Sequence, residues 1–67
     1  MNENKQAILD ALVECLRLTR DQQDLLNLQY DEKREVVWIT WESGNKPVNV
    51  AMDSGIAMIR DVLNAMR

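Results

Sequence analysis

Nucleophilic catalysis needs a nucleophile, a base to activate it and a group to orient the base. The candidate nucleophiles in this chain are Cys15, Ser43 and Ser54, and no histidine is present to act as the usual base. A serine–lysine arrangement would need Lys5, Lys33 or Lys46, which fall at an end or in expected turns. Cys15 belongs to a helical apolar stripe, where a thiol is expected as a small, inert core filler. Carboxylates are more plentiful. Asp10 and Glu14 lie one helical turn apart on a polar face, and Asp21 with Asp24 and Asp31 with Glu32 fall in expected connections. Nothing apolar is indicated around them to raise a pKa for acid–base work. The stretch "DSGI" at 53–56 opens a helix with a glycine, as an anion site would, but Asp53 is expected to cap that positive end itself. One cysteine without histidine excludes Cys/His zinc sites, and no EF-hand, Walker or dinucleotide pattern occurs. The expectation is a non-enzyme with no catalytic residues, no metal and no cofactor.

The elements that position these residues must fit in one domain, since 67 residues leave room for nothing more. A chain of this size buries roughly 60% of its unfolded surface, and small domains need reinforcement by disulfides, metals or self-association. The first two are excluded, so a homo-oligomer is expected, a dimer before other states. The composition, 46% hydrophobic and 28% charged, is that of a folded domain, and the net charge of −3 disfavours nucleic-acid backbones and anionic membranes. A polar start, "MNENKQ", and short apolar runs predict no signal peptide or membrane span. With a lone thiol, this points to a cytoplasmic setting.

Periodicity predicts a helix from about Asn4 to Leu18, capped by Asn4. Ile8, Ala11, Leu12, Cys15 and Leu16 form its stripe, and Leu9, Val13 and Leu18 widen it. "TRDQQD" at 19–24 reads as a connection, or as a further helical turn because Thr19 and Gln22 have capping-box spacing. From Leu26 the period becomes two, with Leu26, Leu28 and Tyr30 on one face. "DEKR" at 31–34 is a hairpin turn and Glu35 to Glu42 a second strand. "SGNKP" at 43–47 is a tight turn in which Gly44 and Asn45 take positive φ, followed by a short strand with Val48 and Val50. A last helix starts at "MDSG", with Asp53 as N-cap and Met52 stapled to Ala57. Its stripe is Ile56, Ile59, Leu63 and Met66, widened by Met58, Val62 and Ala65; Arg60, Asp61, Asn64 and Arg67 form its polar side. The fold class is α+β: helix, three-stranded antiparallel meander, helix, with both helices on one face of the sheet.

In element order alone, over the whole chain, this looks like the double-stranded-RNA-binding domain. That family holds phosphates with lysines at the start of its last helix, and phosphate contacts dominate affinity for a backbone. The corresponding "MDSGIAMIRDV" has Arg60 as its one cation, beside Asp53 and Asp61. Lys33, Arg34 and Lys46 are the remaining candidates for anion or nucleic-acid contact. A nucleic-acid-associated protein is therefore the second reading, one that lacks the basic motif of the family it resembles.

The first reading comes from "VVWITW" at 36–41. Alternation puts Val37, Ile39 and Trp41 on one face and Val36, Trp38 and Thr40 on the other. The neighbouring strands place the first set inward, although a reversed register with Trp38 inside also fits a strand apolar on both sides. Val36, Trp38 and Thr40 then form an open face, an aromatic anchor framed by polar residues. The function expected is a small self-associating interaction protein, an adaptor or regulator binding itself or another protein. Compact chains of this kind are common in bacterial and phage genomes.

Overall fold

The computed structural model describes residues 4–66; Arg67, expected on the polar side of the last helix, lies outside the described residues. The chain runs α1 (Lys5–Arg17), β1 (Leu25–Asp31), β2 (Val36–Trp41), β3 (Gly44–Asn49) and α2 (Gly55–Ala65). The strands pair antiparallel in the order β1-β2-β3. This is the helix–meander–helix order that the periodicity predicts.

α1 starts where its cap says it should: Asn4 Oδ1 accepts a hydrogen bond from Ala7 N at 3.0 Å. Its deepest line is Leu9 and Val13, with Ile8, Leu12 and Leu16 packed around the core. Ala11, Cys15 and Leu18 are exposed. The apolar arc of this helix is wider than the strip a three-stranded sheet covers, so the pattern locates the arc but not its deepest line. Cys15 is therefore not the core filler its place in the stripe suggests.

α2 shows the same displacement. Met58 and Val62 are buried, whereas Ile56, expected on the central stripe, is 82% exposed. Ser54, not Asp53, caps the helix by accepting from Ala57 N at 3.2 Å. Moving the cap by one residue undoes the expected staple, and Met52 stands 96% exposed. Met52 is the third residue of a turn closed by Asp53 N donating to Val50 O at 3.0 Å, and its φ is 63°. That position favours glycine. Met52→Gly is expected to raise stability by about 0.5 kcal/mol, the relief of left-handed strain less the entropy glycine adds to the unfolded chain. A urea melt checks this, and a loss of stability would show that the Met52 side chain makes a contact the fold needs.

β1 carries a bulge. Leu25 pairs with Trp41 and Asn27 with Thr40, so Leu26 is the extra residue. Leu25 is fully buried and Leu26 is 49% exposed, the reverse of what simple alternation from Leu26 predicts. From Leu28 the alternation runs as expected.

The β1–β2 turn is held by Asp31 Oδ1, which accepts from Lys33 N at 3.1 Å and Arg34 N at 3.2 Å. The next connection is shorter than "SGNKP" suggests. Trp41 pairs with Gly44, leaving only Glu42 and Ser43 as the turn. Gly44, at φ +152°, is the one glycine that the hairpin requires; Asn45 and Lys46 are already strand. Pro47 thus lies inside β3 rather than at its start. Val50 N donates to Glu35 O, and antiparallel alternation then turns the Pro47 nitrogen to the free edge, where no donor is needed.

One cluster closes the interior: Leu9, Val13, Leu25, Leu28, Val37, Ile39, Val50, Met58 and Val62. Both helices contribute to it. Within the paired rows of the sheet its members share one face, since Leu28 pairs with Ile39 and Tyr30 with Val37.

Candidate functional site

The register fixes what the other face carries. Its three rows are Asp31–Val36–Asn49, Gln29–Trp38–Pro47 and Asn27–Thr40–Asn45. Trp38 is the centre of this three-by-three grid, and none of the nine residues is buried. Val36, Trp38 and Thr40 are partly exposed, whereas Val37 and Ile39 behind them are fully buried. Trp41 packs against the core cluster and Trp38 does not. Around the indole stand four carboxamides, Asn27, Gln29, Asn45 and Asn49. A single charge, Asp31, sits at a corner. In a chain that is 28% charged, nine solvent-facing positions with one ion make an unusually neutral surface. Such a face is cheap to dehydrate, because ions resist leaving water far more than amides do.

Each edge of the sheet carries a feature that hinders strand pairing. At the free edge of β1, Gln6 of α1 acts as a one-residue strand. Its Nε2 donates to Leu28 O at 2.9 Å and its Oε1 accepts from Tyr30 N at 2.8 Å. No sequence pattern announces this role, because Gln6 reads only as a polar helix position. Lys5 Nζ lies 5.3 Å from the Tyr30 ring centroid, fixing the same end of α1 over β1. At the other edge Pro47 withholds a donor, and Lys46 beside it adds a charge. Both are recognised devices against edge-to-edge pairing.

The cationic candidates are not brought together. Lys33 and Arg34 are exposed in the β1–β2 turn. Lys46 pairs with Ile39 towards the other end of the sheet, where its Nζ donates to Ala65 O at 3.3 Å at the end of α2.

Two further features lie outside the grid. A cleft of about 510 Å³ opens between the ends of the helices, lined by Leu16, Thr19, Asp21, Gln22, Leu63 and Met66. Its one titratable group is Asp21, so it holds no pair for acid–base work. The connection that forms part of it is a series of turns, not a further helix. Thr19 Oγ1 donates to Leu16 O at 2.7 Å, and Gln22 Oε1 accepts from Trp41 Nε1 at 2.8 Å instead of closing a capping box.

The second feature is Asp53 with Asp61. Hydrogen bonding with Asp61 is the main cause that holds the Asp53 carboxyl above the ordinary range, and the same bond holds Asp61 below it. Asp53 Oδ2 is shut off from solvent without a conventional donor. Sequence reasoning missed this pair because Asp53 precedes the helix and Asp61 lies within it, eight positions on.

Among the described residues no group of three or more His, Cys, Asp or Glu side chains is placed to hold a metal, and no helix is long and apolar enough to cross a membrane. No protein-family model, no curated protein and no solved structure matches this chain.

Proposed function

We propose that this chain is a non-enzymatic protein-interaction module, an adaptor or regulator, and that its partner seats on the open sheet face around Trp38. The observation that carries this reading is the position of Trp38. A large amphipathic side chain stands at the centre of a neutral grid, outside the core cluster and rimmed by carboxamides. Interface hot spots have this anatomy: an aromatic at the centre, with polar neighbours that exclude water around it. The Gln6 bonds on β1 and the missing Pro47 donor on β3, which hinder edge pairing, support the face as the route of contact.

A photo-reactive cross-linker tests the assignment. Placed at Thr40 in the full chain and irradiated in cells that express it, the probe is expected to trap protein adducts. At Glu14, exposed on the polar face of α1, it is expected to trap few. Equal yields at both positions, or none at Thr40, would overturn the reading.

A further inference from the structure

We infer that the occupant of the open face is a second copy of this chain, docked sheet to sheet about a two-fold axis that passes over Trp38; this rests on the interaction reading and names its partner. A two-fold interface must be complementary to itself. That requirement is severe for a chain with net charge −3, because a surface rich in carboxylates repels its own copy. The open face escapes it. Carboxamides carry a donor and an acceptor each, so a rim of Asn27, Gln29, Asn45 and Asn49 can hydrogen-bond to the same rim on another molecule.

The grid can meet its copy in two ways while Trp38 stays near the axis. With the axis along the strands, β1 lies over β3 of the other copy. Asn27 then faces Asn45, Asp31 faces Asn49 and Gln29 faces Pro47. With the axis across the strands, the rows exchange. Asp31 then faces Asn27, Val36 faces Thr40, Asn45 faces Asn49 and Gln29 faces itself. In neither arrangement does Asp31 meet Asp31. The single ion of the face is at the corner where both arrangements give it an amide partner.

The size of the face sets the strength of the pair. Three strands of six or seven residues span an area of about 20 by 14 Å. That is well below the surface a permanent interface buries. The dimer is therefore transient, with a dissociation constant in the micromolar range or weaker, and each copy folds around its own core.

Sedimentation equilibrium and cysteine pairing test this together, in a Cys15→Ser background that removes the exposed native thiol. The wild-type surface is expected to show reversible dimers at hundreds of micromolar. Trp38→Asp, checked for folding by circular dichroism, is expected to weaken them by at least about tenfold. Under mild oxidation one of two disulfides is expected: Thr40→Cys with itself for the axis along the strands, or Val36→Cys with Thr40→Cys in a mixture for the axis across them. A chain that stays monomeric into the millimolar range overturns the proposal, and so does a dimer untouched by Trp38→Asp that forms neither disulfide. If the chain is monomeric while a probe at Thr40 still traps a different protein, the second copy is wrong and the interaction reading stands. If it traps nothing, both fall.

Discussion

Leu25→Ala is expected to lower the unfolding free energy by about 3 kcal/mol, and Leu26→Ala to change it by less than about 0.5 kcal/mol. The two leucines are adjacent and chemically identical, so helix or strand propensity cannot separate them. What separates them is the bulge. Leu25 is fully buried within the core cluster, whereas Leu26 is about half exposed at 49%. Truncating Leu25 leaves a cavity in the core cluster, while truncating Leu26 removes atoms already about half in water. A domain of this length has a total stability on the order of 3–10 kcal/mol. The Leu25 variant should therefore be substantially unfolded in mild urea, and denaturation of the pair reads the difference directly. Equal losses would mean that β1 runs without its bulge, with Leu26 inward.

Trp41→Ala carries the second large effect, also about 3 kcal/mol. Trp41 packs partly against the core and donates from Nε1 to Gln22 Oε1 at 2.8 Å. The substitution thus removes apolar contact from the end of β2 and releases Gln22, one of the residues that tie the α1–β1 connection to the sheet. Trp41→Phe should recover most of the packing and none of the hydrogen bond, leaving a deficit of about 1 kcal/mol. If alanine and phenylalanine cost the same, the hydrogen bond rather than the packing dominates, and the core role assigned to Trp41 is overstated.

These two sites also show which parts of the fold are legible in the residues. Element type follows from period: 3.6 in α1 and α2, two in β1 and β2. Asn4 can be named as a cap because a side-chain acceptor before an apolar spiral has little else to do. The inward face of β2 can be assigned because Val37 and Ile39 must match the apolar sets of two neighbours, and the structure buries both. What fails is anything fixed by a single-residue offset. The bulge at Leu26 reverses one position of β1 without disturbing the rest of its alternation. Ser54 and Asp53 are both sound caps, and the difference between them decides where Met52 goes. Each helix arc is broad enough for its deepest line to lie to one side of the expected stripe, which is how Cys15 and Ile56 come to face solvent. The Gln6 plug on β1 is invisible beforehand for a different reason, because it joins residues 22 and 24 positions apart.

One core cluster draws on both helices and all three strand regions. This sharpens the role of the two tryptophans: they sit three residues apart on one strand, and the alternation assigns one to the fold and frees the other.

The unfolding free energy of Trp38→Ala tests that division between the two tryptophans. The measurement is a urea titration at protein concentrations low enough that the midpoint no longer depends on concentration. The expected value lies within about 1 kcal/mol of the unmodified chain, for a side chain in register with Gln29 and Pro47 and outside the core cluster. A loss as large as that of Trp41→Ala would make Trp38 a structural residue and would contradict the assignment of the open face to binding.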